Sequence, residues 1–76
     1  MDSLRKLRGK KVTIFCMNYI YTGELVDIDP PFIHLKEASI VYETGPFTSK
    51  EYKDCQKFPE DWFINIADVE SFGVLK

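Results

Sequence analysis

Apolar and polar residues alternate along much of the chain with the two-residue period of a β-strand. The run KVTIFCM, from Lys11 to Met17, is β-branched and aromatic and predicts a first strand. A second strand is predicted from Ile20 to Ile28 and a third from Phe32 to Tyr42. The first half of this third strand alternates strictly, as in a strand with one buried face.

Glycine and proline divide these strands. Gly23 lies inside the second strand, where glycine often marks a bulge or the sharp bend of a curled sheet. Asp29-Pro30-Pro31 ends that strand, because proline cannot donate a hydrogen bond to a neighbouring strand. The side chain of Asp29 is also suited to cap the turn by a hydrogen bond to the neighbouring backbone.

The second half of the chain is less regular. Residues 43–61 are polar and interrupted by Gly45-Pro46 and Pro59, which predicts a long loop or a hairpin extension. WFINI (62–66) predicts a fourth strand, ADVES (67–71) a turn, and FGVL (72–75) a short last strand.

A short helix is predicted at the N-terminus over LRKLR (4–8), capped by Asp2 or Ser3 and ended by Gly9. The predicted fold is therefore mainly β: a short N-terminal helix followed by a strongly bent, five-stranded antiparallel sheet, a small barrel of the SH3-like class. Residues 1–76 form one domain. So small a sheet leaves edges open, and pairing with a second copy would cover them.

Composition and charge refine this interpretation. The 76 residues are 45% hydrophobic and 14% aromatic, which excludes a disordered chain. No apolar run is long enough to span a membrane, and the polar, basic start is not that of a signal peptide. With two cysteines and no disulfide framework, we expect a cytoplasmic protein. The net charge of −2 is uneven, since residues 1–11 carry +4 and the remainder −6.

The pattern of reactive residues argues against an enzyme. There is one histidine and no Cys-x-x-Cys pair, so no metal site is predicted. No Ser-His, Cys-His or paired-acid arrangement stands out. We expect no catalytic activity and no cofactor.

Three segments resemble a known family. GKKVTI (9–14), GELVDID (23–29) and FIHLKE (32–37) follow in order the first motif of the Sm/LSm family, which includes bacterial Hfq. The resemblance covers residues 4–42. Pro31 stands at the family's base-stacking position and Ile33 at that of its RNA-contacting Asn.

The resemblance implies a closed ring of identical copies, in which the fourth strand of each copy pairs with the fifth strand of the next. The bend at 29–32 and the turn at 65–68 then line a central hole that binds single-stranded RNA. In such a ring the basic helix attracts phosphates. The implied RNA-binding residues come from the bend, the later turn and the helix: Asp29, Pro31, Phe32, Ile33, Asn65, Asp68, Arg5, Lys6 and Arg8. The implied partners are further copies of the chain and single-stranded RNA, with no membrane.

Other roles for these residues stay open. Phe32 begins an alternating strand, a position that is more often core than stacking platform. Asn65 can satisfy a turn as readily as a uracil edge, and the basic helix can be a solvated face. The isoelectric point near 5.3 is unusual for a nucleic-acid binder. The alternative function is therefore a structural or protein-interaction ring without nucleic acid.

Overall fold

The chain folds into one short helix and a single antiparallel sheet of six strands, described for residues 2–76 by a computed structural model. In chain order the elements are α1 (Asp2–Arg5), β1 (Lys11–Cys16), β2 (Ile20–Asp29), β3 (Phe32–Glu43), β4 (Asp54–Lys57), β5 (Trp62–Asn65), a 3-10 helix (Ile66–Asp68) and β6 (Val69–Gly73). The mainly β, antiparallel fold with one short N-terminal helix is confirmed. The sheet has six strands where five were predicted.

The strand order leaves two borders of the sheet open. The strands follow the order β4-β3-β2-β1-β6, and β5 also pairs with β3. β5 lies along the first half of β3 and β4 along its second half. Within residues 2–76, β6 has no partner but β1, and β4 and β5 have none but β3. The sheet therefore does not close on itself, and each border carries unpaired backbone groups.

Gly23 marks a bulge, as its position in the second strand predicted. Glu37 and Ala38 of β3 both lie opposite Gly23, where the pairing register shifts. A Cβ atom on Gly23 would lie 3.0 Å from the Lys36 carbonyl oxygen and 3.1 Å from the Ala38 Cα. Only glycine lets the two strands approach this closely, and the extra residue bends the sheet.

The core is one cluster of buried apolar side chains that includes Leu4 of α1. Its buried residues come from the helix and from β1, β2, β3 and β5: Leu4, Val12, Ile14, Leu25, Ile28, Ile33, Leu35, Ala38 and Ile64. Leu4 is fully buried, which docks a helix too short to be stable alone. α1 ends at Arg5, three residues before its predicted end, and Gly9 takes a φ of 82° in the turn that follows.

The second half of the chain follows its predicted elements in part. Of the two alternatives for residues 43–61, the structure has the hairpin extension: Asp54–Lys57 is a strand that pairs with the second half of β3, and all four of its side chains are exposed. The last strand begins at Val69 rather than Phe72, because Val69 pairs with Cys16 of β1. Both segments are polar because they border the sheet, and polar border strands resemble loops in sequence.

The segment between β3 and β4 covers the outer face of β1 and β2. Tyr52 donates a hydrogen bond to the Thr22 hydroxyl at 3.1 Å and forms a second hydrogen bond with the Thr13 hydroxyl. Both threonines are buried, and Thr22 also donates to the Val12 carbonyl at 2.9 Å. Lys76 donates to two carbonyl oxygens of this segment, at 2.7 and 2.9 Å.

Replacing Tyr52 with phenylalanine should lower the free energy of unfolding by about 1–3 kcal/mol, because the buried Thr13 hydroxyl loses its partner. Urea unfolding followed by circular dichroism measures the change. Tyr42→Phe is the matched control, since the Tyr42 hydroxyl donates to Gln56 on the exposed surface. Equal effects of the two substitutions would contradict a docking role for Tyr52.

Candidate functional site

The bend between β2 and β3 lies against the turn after β5. Phe32 pairs with Asn65 in the strand register, and the Ile66 amide donates to the Pro31 carbonyl at 2.9 Å. The peptide bond between Pro30 and Pro31 is cis. The fold thus brings together two segments that lie more than thirty residues apart in the sequence.

The predicted site residues of these two segments differ in exposure. Asp29, Pro31 and Asp68 are exposed, and Phe32 is 43% exposed. The Asn65 side-chain oxygen accepts a hydrogen bond from the Ala67 amide at 2.9 Å, so it caps the 3-10 helix. The amide nitrogen of Asn65 has no hydrogen-bond partner within residues 2–76.

Ile33 belongs to the core rather than to this surface. Its side chain is fully buried and lies opposite Ile64 in the strand register. The alternation of β3 turns Ile33 inward and Phe32 outward. A ligand on the outer surface therefore cannot reach the Ile33 side chain in this fold.

The basic residues of α1 and of the turn that follows it contact acidic groups of the same chain. The Arg8 Nε lies 3.8 Å from the Asp27 carboxylate. Arg5 lies 3.6 Å from the Asp2 carboxylate and donates to the Ile28 carbonyl at 3.5 Å. These contacts place the helix beside the end of β2, close to the bend. They also partly neutralise the positive charges of Arg5 and Arg8, two of the three basic residues predicted to bind RNA. Lys6, the third, is exposed and forms no ion pair within residues 2–76.

A groove of about 300 Å³ opens beside the two turns, between the β1–β2 turn and β5. We call it the aromatic groove. Its lining comes from the end of β1, the β1–β2 turn, β2, the start of β3, β5 and the 3-10 helix: Cys16, Met17, Asn18, Tyr19, Tyr21, Phe32, Trp62, Phe63, Ile64, Asn65 and Asp68. Three predicted site residues, Phe32, Asn65 and Asp68, are among them.

Aromatic rings form much of the groove wall. The rings of Tyr19 and Tyr21 lie 6.4 Å apart and are tilted by 55°. The Trp62 indole stacks on Phe58 with ring centres 3.8 Å apart, and Phe58 itself lies behind the wall. Phe58 also stacks on Tyr21 at 6.2 Å. The rings therefore support each other, which holds the wall in one arrangement.

Burial and a nearby carboxylate raise the pKa of two groups at the groove, the Cys16 thiol and the Tyr21 hydroxyl. Desolvation raises the pKa of the Cys16 thiol, and the negative charge of Asp68 raises it further. The pKa of Tyr21 is also raised, first by burial and then by its neighbours Cys16, Tyr19 and Asp68. Since the charged forms are disfavoured, both groups stay protonated at neutral pH.

Cys16 should therefore react with iodoacetamide more slowly than Cys55, which is exposed on β4. Because the folded-state pKa of Cys16 is raised, folding stability should fall as the pH rises above the pKa of the unfolded thiol. Mass spectrometry of single-cysteine variants, Cys16→Ser and Cys55→Ser, measures the two rates. Equal rates in the folded protein would contradict the environment described for Cys16.

The sequence pattern did not indicate the groove as a site. Tyr19, Tyr21 and Trp62 come from three separate elements: the β1–β2 turn, β2 and β5. Only the fold shows that they line one groove. No local pattern in the sequence could have predicted that these residues lie together.

Comparison with known proteins adds no family to this description. No protein-family model matches the chain, and no curated protein matches it at a significant level. Residues 2–76 contain no helix long and apolar enough to cross a membrane and no cluster of three side chains suited to a metal ion.

Proposed function

We propose that the protein is an Sm-like domain that assembles into a homo-oligomeric ring and binds single-stranded RNA. The observation that carries the proposal is the pair of open sheet borders, β5 on one side and β6 on the other. A border that can pair with the opposite border of an identical copy generates a head-to-tail contact, and such contacts form a ring when the rotation between copies closes.

Apolar side chains accompany both borders. On β5, Trp62 is 38% exposed and Phe63 is 55% exposed. Val74, just after β6, is 54% exposed and borders a cleft of about 170 Å³ that Phe15 and Phe72 also line. Joining β5 of one copy to β6 of the next would pair the backbone groups and cover Phe63 and Val74 together.

The order of elements also supports the proposal. The helix α1 precedes the sheet. The short 3-10 helix separates β5, which pairs with β3, from the last strand, β6. If β4 and β5 are counted as one interrupted strand along β3, the sheet has the five strands that the Sm resemblance implies.

RNA binding is proposed for the surface that the two turns share. Pro31 and Phe32 are exposed there, and the Asn65 amide nitrogen is free to donate to a base. Stacking a base on an aromatic ring contributes about 1–3 kcal/mol. A ring repeats this surface in every copy, so a strand that spans several copies binds with high avidity.

Fluorescence anisotropy with labelled oligo-U and oligo-A, at about 50 mM and about 200 mM salt, tests the proposal. We expect binding at the lower salt that weakens at the higher. Phe32→Ala should weaken binding by about 1–3 kcal/mol. Lys6→Ala should reduce the slope of affinity against salt by about one, because one phosphate contact is lost.

Lys50→Ala is the matched control for Lys6→Ala, since Lys50 is an exposed lysine on the segment between β3 and β4. It should change neither the affinity nor the salt slope. No measurable affinity for either oligonucleotide at low salt would overturn the RNA part of the proposal and leave assembly to be judged separately.

A second candidate function is a ring that holds proteins rather than RNA. The contacts of Arg5 with Asp2 and of Arg8 with Asp27 favour it, because they reduce the positive charge available to phosphates. An oligomer that fails to bind either oligonucleotide would support this candidate.

A further inference from the structure

We propose that the aromatic groove binds a methylated ammonium group, the chemical group shared by choline-like small molecules and by methylated lysine side chains. This site would serve a ligand other than RNA, and its existence does not depend on the function proposed above. Aromatic rings, a lone carboxylate and the size of the groove support it.

The rings offer the surface that such a cation prefers. Quaternary ammonium groups bind against the faces of Trp, Tyr and Phe, where the π-electrons are negative. The Trp62 indole has one face covered by Phe58, and its remaining exposed part borders the groove. Tyr19 and Tyr21 form a second wall at an angle of 55° to each other. Rings from three elements, the β1–β2 turn, β2 and β5, therefore line the space that a cation would enter.

The charge in the groove favours a cation as well. Asp68 is the single charged residue of the lining, which contains no Lys, Arg or His. Within residues 2–76, no hydrogen bond or ion pair occupies the Asp68 carboxylate, although its backbone carbonyl accepts from Met17. Its negative charge raises the pKa of Cys16 and of Tyr21, which line the same groove. An unpaired carboxylate attracts a positive group.

The size of the groove and the hydration of the cation favour the methylated form. A volume of about 300 Å³ lies at the lower end for small-ligand sites, which suits a small organic cation. An unmodified ammonium is strongly hydrated. When it enters the groove, it gives up its hydrogen bonds to water and needs acceptors in the protein instead. A quaternary ammonium has no hydrogen to donate, so the rings and one carboxylate satisfy it.

Trp62 provides a direct probe, because it is the only tryptophan of the chain and lies in the groove. Its fluorescence should change on titration with tetramethylammonium, choline and a peptide that contains trimethyllysine. The uncharged analogue 3,3-dimethylbutanol and the unmodified lysine peptide are the matched ligand controls. Both should bind at least about two- to fivefold more weakly than their charged or methylated counterparts.

Protein variants then locate the site. Asp68→Asn and Tyr19→Leu should each weaken tetramethylammonium binding by about two- to fivefold. Tyr42→Leu is the control for Tyr19→Leu, since both tyrosines are 55% exposed and Tyr42 lies outside the groove. Asp54→Asn is the control for Asp68→Asn, because Asp54 is an exposed carboxylate on β4. Neither control should change the affinity.

The ligand series also identifies the source of the cation. Tighter binding of the trimethyllysine peptide than of choline would assign the site to a protein side chain, and the reverse order to a free small molecule. Equal binding of tetramethylammonium and 3,3-dimethylbutanol, or no fluorescence response to any cation while circular dichroism shows folded protein, would overturn the proposal.

Discussion

Replacing Ile33 with alanine is expected to lower the free energy of unfolding by about 2–5 kcal/mol, because it opens a cavity in the core. The Ile33 side chain is fully buried beside Leu35 and Ile64. Domains of this kind have a total stability of about 5–15 kcal/mol, so the substitution removes a large part of it. Urea unfolding followed by circular dichroism measures the loss.

Phe32→Ala is the neighbouring control. Phe32 is 43% exposed and faces outward, so its removal should change the free energy of unfolding far less. The two variants separate stability from binding: Ile33→Ala should act on the fold, and Phe32→Ala on the affinity for RNA. A larger destabilisation by Phe32→Ala than by Ile33→Ala would contradict the orientation of β3 described above.

Replacing Phe63 with glutamate is expected to convert the proposed oligomer into monomers of 8.9 kDa. Phe63 is 55% exposed on the open border of β5, where a neighbouring copy would cover it. Losing the burial of one such ring weakens a contact by about 10- to 150-fold, and a buried carboxylate weakens it more. Light scattering on size-separated protein reports the mass.

The control for this variant is Phe47→Glu. Phe47 is 63% exposed on the segment between β3 and β4, away from the border of β5. It should leave the mass unchanged. Dissociation by both variants would show that surface charge alone, rather than the β5 border, controls assembly.

The sequence predicted the first three strands to within one residue at each end, because the alternation that defines them is local. β4 could not be predicted in this way. Its four residues are polar and exposed, and only pairing with the second half of β3 makes them a strand. The start of β6 was missed for a similar reason, since Glu70 and Ser71 are exposed residues of a border strand.

The candidate site was predictable in part. The motif resemblance indicated both the bend at 29–32 and the turn at 65–68, and the fold places them side by side. The same resemblance assigned a ligand role to Ile33, whereas the alternation around Leu35 already favoured the core. Burial follows the two-residue period of the strand rather than the position of a residue in a motif.

The docking of Tyr52 and the aromatic groove were beyond prediction from the sequence. Tyr52 lies thirty residues from Thr22 and thirty-nine from Thr13, in a segment with no regular pattern. The groove joins residues of β1, β2, β3, β5 and two turns. Contacts of this kind depend on how the sheet bends. The amino-acid sequence indicates only where a bend is possible, as at Gly23, and not which residues the bend brings together.

Sedimentation velocity of the unmodified protein at micromolar concentration tests most directly whether each open border of the sheet is completed by a neighbouring copy. A single species whose mass is an integer multiple of 8.9 kDa, unchanged on dilution within that range, is the expected result. A stable species of 8.9 kDa at the same concentrations would contradict the assembly of copies through β5 and β6, and with it the ring that would carry the RNA surface.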